Sequence, residues 1–86
     1  MPKRTDRALS IQFNIELGAR IQAMRLKRCM TQAELTELSH VGRGTIAMIE
    51  TGRQGVDALN LALICNALGV SPTRLLPKLP LPKRSR

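Results

Sequence analysis

The stretch Thr31–Arg53, TQAELTELSHVGRGTIAMIETGR, decides how the chain folds. It opens on a capping box. The Thr31 hydroxyl can accept from the Glu34 amide while the Glu34 side chain reaches back to the cap. Met30 before the cap and Leu35 inside the helix form the matching hydrophobic staple, and together these features contribute on the order of 1–2 kcal/mol. The helix that follows runs only to Leu38 or Ser39. Three or four residues later a second short helix begins near Arg43 and ends at Gly52, a natural residue just past a helix end. Two helices of about eight residues are too short to be stable alone. Leu35, Val41, Ile46 and Ile49 are spaced as the inner face of a helix-turn-helix pair, an arrangement that presents its second helix to a partner.

Outward from this unit the pattern stays helical. Leu17, Ile21 and Met24 make one apolar stripe within Ile15–Arg28, with Asn14 as its expected N-cap and basic residues in its last turn. Before it, Leu9, Ile11, Phe13, Ile15 and Leu17 alternate with polar residues. This favours an extended arm over residues 1–13. Leu9, Phe13, Leu17 and Ile21 at four-residue spacing offer an upstream extension of the helix as the alternative. Downstream, Asp57 caps a helix to Leu68 that Gly69 ends, and Ser71-Pro72 opens a fifth, very short helix through Leu76. Pro77, Pro80 and Pro82 hold the remaining tail extended. The expectation is all-α: five short helices in one domain over residues 14–76, a basic arm at 1–13 and a basic, Pro-rich tail at 77–86.

Composition bounds the function. The 86 residues carry a net charge of +8, with 43% hydrophobic residues, one Phe and no Trp or Tyr. The core is therefore aliphatic, and the aromatic platforms on which single-stranded nucleic acids stack are missing. Residues 1–10 carry +2 and residues 77–86 carry +4, against +2 for everything between. Basic ends on a nearly balanced body suit a reader of a polyanion. Cys29, Cys65 and a single His40 cannot make a four-ligand zinc site, so no metal or cofactor is expected. Both cysteines lie in helical apolar patterns and read as plain buried or half-buried thiols. No apolar run approaches the roughly 20 residues of a membrane span. A reduced, cytoplasmic, membrane-free protein is expected. Paired carboxylates in a cleft, a nucleophile–base pair and a phosphate-cradling loop are all lacking, which argues against an enzyme.

Leu17–Leu76 resembles the Xre, or lambda-repressor-like (Cro/CI-type), helix-turn-helix family. The resemblance is carried by LGARIQAMR, TQAELTELSHVGRGTIAMIETGR and LALICNALGVSPTRLL. It implies a five-helix, lambda-repressor-like domain whose third helix enters the major groove of double-stranded DNA. On that basis Arg43, Gly44, Ala47 and Met48 face bases. Arg43 can grip guanine through both acceptors, the alternative being a phosphate contact or a solvated side chain. Gly44, Ala47 and Met48 can only read apolar features or allow close backbone approach. Arg25, Thr31, Gln32, Thr45, Thr51 and Arg53 are the implied phosphate contacts, with ordinary surface polarity as the alternative for Thr45, Thr51 and Arg53, and an exposed helix-start side chain as that for Gln32. Arg25 and Glu50 match the pair that links the first and third helices.

Departures from the family pattern carry expectations of their own. His40 and Cys29 stand where glycine commonly supplies a left-handed turn. Thr36 replaces a small residue between the two helices and is expected to open their angle slightly. Gly42 and Gly44 make a loose start to the third helix, one expected to order fully on DNA. Leu59 and Leu63 lie off the core stripe of the fourth helix and, with the fifth helix, are read as a homodimer or partner face. The arms (Lys3, Arg4, Arg7; Lys83, Arg84, Arg86) either add phosphate contacts, each steepening the salt dependence by about 0.9, or stay solvated. The leading function is a dimeric, sequence-specific transcriptional regulator. It is read as a repressor on a palindromic operator, like phage, plasmid and restriction-modification control proteins. The alternative is an antitoxin or adaptor that binds a protein partner and autoregulates its promoter.

Overall fold

The computed structural model describes residues 4–79; Lys3, Lys83, Arg84 and Arg86 lie outside that range. Five helices follow one another: α1 (Arg4–Lys27), α2 (Gln32–Ser39), α3 (Arg43–Glu50), α4 (Ala58–Leu68) and α5 (Pro72–Leu75). The buried centre is aliphatic: Leu17, Ile21, Leu35, Val41, Ile46, Ile49, Ile64, Leu68 and Leu75, together with Cys65.

The caps read at Thr31, Asp57 and Gly69 are present. The Thr31 hydroxyl accepts from Glu34 N at 3.0 Å and Thr31 N donates to Glu34 Oε1 at 2.8 Å. Asp57 Oδ1 accepts from Asn60 N at 2.7 Å, and Gly69 closes α4 at φ 71°. Pro72 occupies the first turn of α5, where its missing N–H costs nothing. His40 keeps the left-handed geometry without glycine, at φ 63° and ψ 17°, its N–H bonded to Thr36 O at 2.8 Å. Cys29 does the same at φ 58°. Both residues hold a conformation that costs a non-glycine about 1–2 kcal/mol. Each is therefore held there by the helices it joins.

The extended reading of the N-terminal arm is corrected: from Arg4 onward the chain is helix, continuous with α1, and Asn14 sits mid-helix rather than at a cap. Phe13 packs on the core and Leu17 is buried within it, whereas Leu9, Ile11 and Ile15 are exposed. The apolar residues that alternate along the sequence thus spread around a cylinder, and the four-residue stripe packs from Phe13 onward. Asn14 lies beside Gly55, its Oδ1 3.3 Å from where a Cβ there would stand.

Close approach of α1 to α3 depends on Gly18. A Cβ at Gly18 would collide with the Ile49 carbonyl oxygen, so only glycine lets the two backbones meet. The cysteine expectation is also revised. Cys65 is buried, and burial pushes its thiol up, but Cys29 is exposed at the end of α1. Its left-handed turn carries it out of the α1 stripe.

Candidate nucleic-acid interface

The helix α3 is divided lengthwise. Ile46, Ile49 and Glu50 point into the domain, while Arg43, Gly44 and Met48 are exposed and Ala47 is half-buried. The four residues read as base-facing therefore share the outer side of one helix. At 1.5 Å per residue its eight residues span about 12 Å, comparable to the width of the B-DNA major groove. Nothing lies within 4 Å of a Cβ built on Gly44, so the backbone there is open to close approach. Gly42 caps α3 without a side-chain bond, leaving the first amides of the helix free.

Behind this outer face sits a buried polar cluster. Arg25 Nε donates to Glu50 Oε2 at 2.7 Å and Arg25 Nη2 to Glu50 Oε1 at 3.0 Å, a bidentate pair. Its Nη1 donates to Met30 O at 2.8 Å, tying the α1–α2 turn into the same group. Only 8% of the Arg25 side chain and none of the Glu50 side chain is exposed. The bond to Glu50 raises the affinity of the guanidinium for its proton. Arg25 therefore faces inward, with little surface left for a phosphate.

Sequence reasoning treated Gln32 and Glu50 separately, but the structure joins them: Gln32 Nε2 donates to Glu50 Oε1 at 3.0 Å. One carboxylate thus anchors α1 through Arg25 and the first residue of α2 through Gln32. No local signal marks that link, because the residues lie eighteen positions apart and meet only when α2 and α3 pack. The amide keeps its second N–H for another acceptor.

The flanking positions differ in what they can offer. The Thr31 oxygen accepts inside the capping box, so its own O–H remains available to donate. Thr51 Oγ1 donates back to Ala47 O or Met48 O at 3.1 and 3.2 Å, which engages the proton a phosphate would need. Thr45 is half-buried near Gly42, and Arg53 is exposed just past α3. On α4, Leu59 stands 68% exposed, but Leu63 packs against the core, so the outer face of that helix is narrower than the sequence suggested. Thr36 Oγ1 is buried and has no hydrogen-bond partner.

Among the described residues no group of His, Cys, Asp and Glu is placed to hold a metal. Nor is any described helix long and apolar enough to cross a membrane.

Similar proteins point the same way as the geometry. The crystal structure of the restriction-modification controller protein C.AhdI from Aeromonas hydrophila superposes with a TM-score of 0.70 at 26% identity, covering 72% of this chain and 94% of that one. The clp gene regulator ClgR from C. glutamicum superposes with a TM-score of 0.70 at 35% identity, covering 73% of this chain and 82% of that one. No curated protein matches the sequence. The helix-turn-helix family model HTH_3 matches residues 21–75, well over half of the chain. The chain thus belongs to the Xre, or lambda-repressor-like, helix-turn-helix family of DNA-binding regulators of transcription.

Proposed function

We propose that the protein represses transcription by binding, as a homodimer, a palindromic operator with α3 in the major groove. The observation that carries this is the division of α3: a donor at Arg43 and an otherwise apolar outer face, held rigidly from behind by the Arg25–Glu50–Gln32 cluster. Arg43, at the entering end, takes a guanine through O6 and N7. Ala47 and Met48 offer methyl and thioether surface to thymine methyls, and Gly44 permits close approach of the backbone. Thr31, Gln32, Thr45 and Arg53 fix the helix on the phosphates, each keeping a donor or standing beside one. Arg25 and Thr51 act through the protein rather than on DNA.

Two-fold pairing of copies through the outer face of α4 at Leu59 would place two such helices on successive major grooves. Repression follows from occupying the promoter, in the cytoplasm where the DNA is. The same Leu59 face supports the second reading, an antitoxin or adaptor that binds a protein partner there.

Selection of sites from a random duplex pool tests the proposal. The expected outcome is a palindrome with one guanine per half-site placed by Arg43. Arg43→Ala should lose about 1–3 kcal/mol of discrimination at that position and little elsewhere. Selected sites without two-fold symmetry, or sites unchanged by Arg43→Ala, would overturn it.

A further inference from the structure

On the side of α1 turned away from α3 lies a hollow of about 220 Å³, lined by Arg20, Ala23, Met24 and Lys27 of α1 and by Arg74 and Leu75 of α5. Relative to Gly18, which meets α3, residues 20, 24 and 27 stand roughly 120–180° around the helix. Three of the six lining side chains are cationic and exposed, and no carboxylate is among them. Arg20 reaches only the Leu76 carbonyl, at 3.4 Å. The floor, Met24 over buried Leu75, is apolar. Such a hollow fits an apolar side chain flanked by carboxylates.

The chain carries that shape on another surface. Glu34, Glu37 and Leu38 are exposed within an arc of about 100° on α2, with Leu38 at the edge of that arc nearest buried Leu35 and itself 54% exposed. Glu37 sits in the last turn of α2, where the helix dipole disfavours a negative charge and no basic residue offsets it. Arg25–Glu50 is the one ion pair among the described residues, so neither Glu37 nor the three cations of the hollow is ion-paired with another described residue.

We propose that the α1–α5 hollow of one copy receives Leu38, Glu34 and Glu37 of a second copy, joining copies head to tail. Leu38 enters over Met24 and Leu75. The carboxylates reach Arg20, Lys27 and Arg74; Arg20 and Lys27 are separated by about 10.5 Å along α1, which leaves room for a leucine between them. Patch and hollow are different surfaces, so the contact is heterologous and each copy retains a free end of each kind. It adds copies beyond any pair formed through α4. The contact does not depend on the DNA-binding reading, and its test uses no DNA.

Charge reversal with the full chain provides that test, read as the mass distribution in sedimentation over rising protein concentration. The wild type should form species larger than a dimer. Glu37→Lys and Arg74→Glu should each weaken that association about tenfold, since like charges are then opposed. The double variant, with the signs exchanged, should recover most of it. Thermal melting confirms that each variant is folded; should Arg74→Glu disturb the short α5, Lys27→Glu on α1 makes the same reversal. Absence of species beyond a dimer would overturn the proposal, as would single reversals without effect or a double variant no better than the singles. Binding of a foreign acidic peptide in the hollow while the copies stay apart would also overturn it.

Discussion

At the residue scale, the side chains that matter most are those whose neighbours leave them no alternative. Gly18→Ala would drive a methyl into the Ile49 carbonyl, and since backbone rather than a flexible side chain is in the way, α1 and α3 must separate. We expect a loss of about 1–3 kcal/mol, read as a lowered melting temperature. Glu50 poses a different problem. Glu50→Gln leaves the Arg25 cation nearly buried without its counter-charge, and breaking such a pair costs about 3–5 kcal/mol. Against the roughly 5–15 kcal/mol that holds a small domain together, this should bring the chain close to unfolding in denaturant titrations. Replacing both partners by apolar residues, Arg25→Met with Glu50→Leu, should recover most of the stability while releasing Gln32. The pair then reveals its function as orientation, through weaker DNA binding in a stable variant.

At the scale of elements, α3 is built against its own propensity. It begins at Gly42 without a side-chain cap and carries Gly44 in its first turn, with open space where a Cβ would stand. Gly44→Ala should therefore stabilise the domain by about 0.5 kcal/mol, since alanine fits without contact and restricts the unfolded chain. The same methyl should weaken DNA binding if the backbone at this point approaches the bases closely. Opposite signs in a melting experiment and a binding titration would locate the reason for the glycine in the groove. The helices α2 and α4 show the contrasting case, since their caps were readable residue by residue and all formed. α1 was misread over its first turns. Alternating and four-residue spacing coexist there, and only packing of Phe13 and Leu17 on the core selects between them.

For the whole molecule, the question is how copies are arranged. The described chain is elongated, 49 × 22 × 19 Å, because α1 at about 36 Å extends past the bundle. Leu59 is the most exposed large apolar side chain among the described residues and lies on α4, whereas Leu63 belongs partly to the core. A variant that leaves the fold intact must therefore change Leu59 alone. In a Glu37→Lys background, where the head-to-tail contact is weakened, Leu59→Glu should give a monomer by light scattering with an unchanged melt, and binding to a two-half-site duplex should weaken toward that of a single half-site. A dimer mass retained by that double variant would assign the pairing surface elsewhere.

What the sequence determined by itself is local: the caps at Thr31 and Asp57, the stops at Gly52 and Gly69, the Pro72 start and the apolar stripes between them. These rest on interactions within three or four residues, so reading them needs no knowledge of the rest of the chain. The division of α3 into an inner and an outer face was legible for the same reason, and with it the side that carries Arg43 and Met48. Other features were decided only by the tertiary structure. Glu50 reaching Gln32, α1 crossing α3 at Gly18, Cys29 turning outward, and Arg20, Lys27 and Arg74 gathering around one hollow all depend on packing. Each joins or displaces groups according to where separate helices come to rest, a quantity set by the filling of the common core rather than by the order of neighbouring residues.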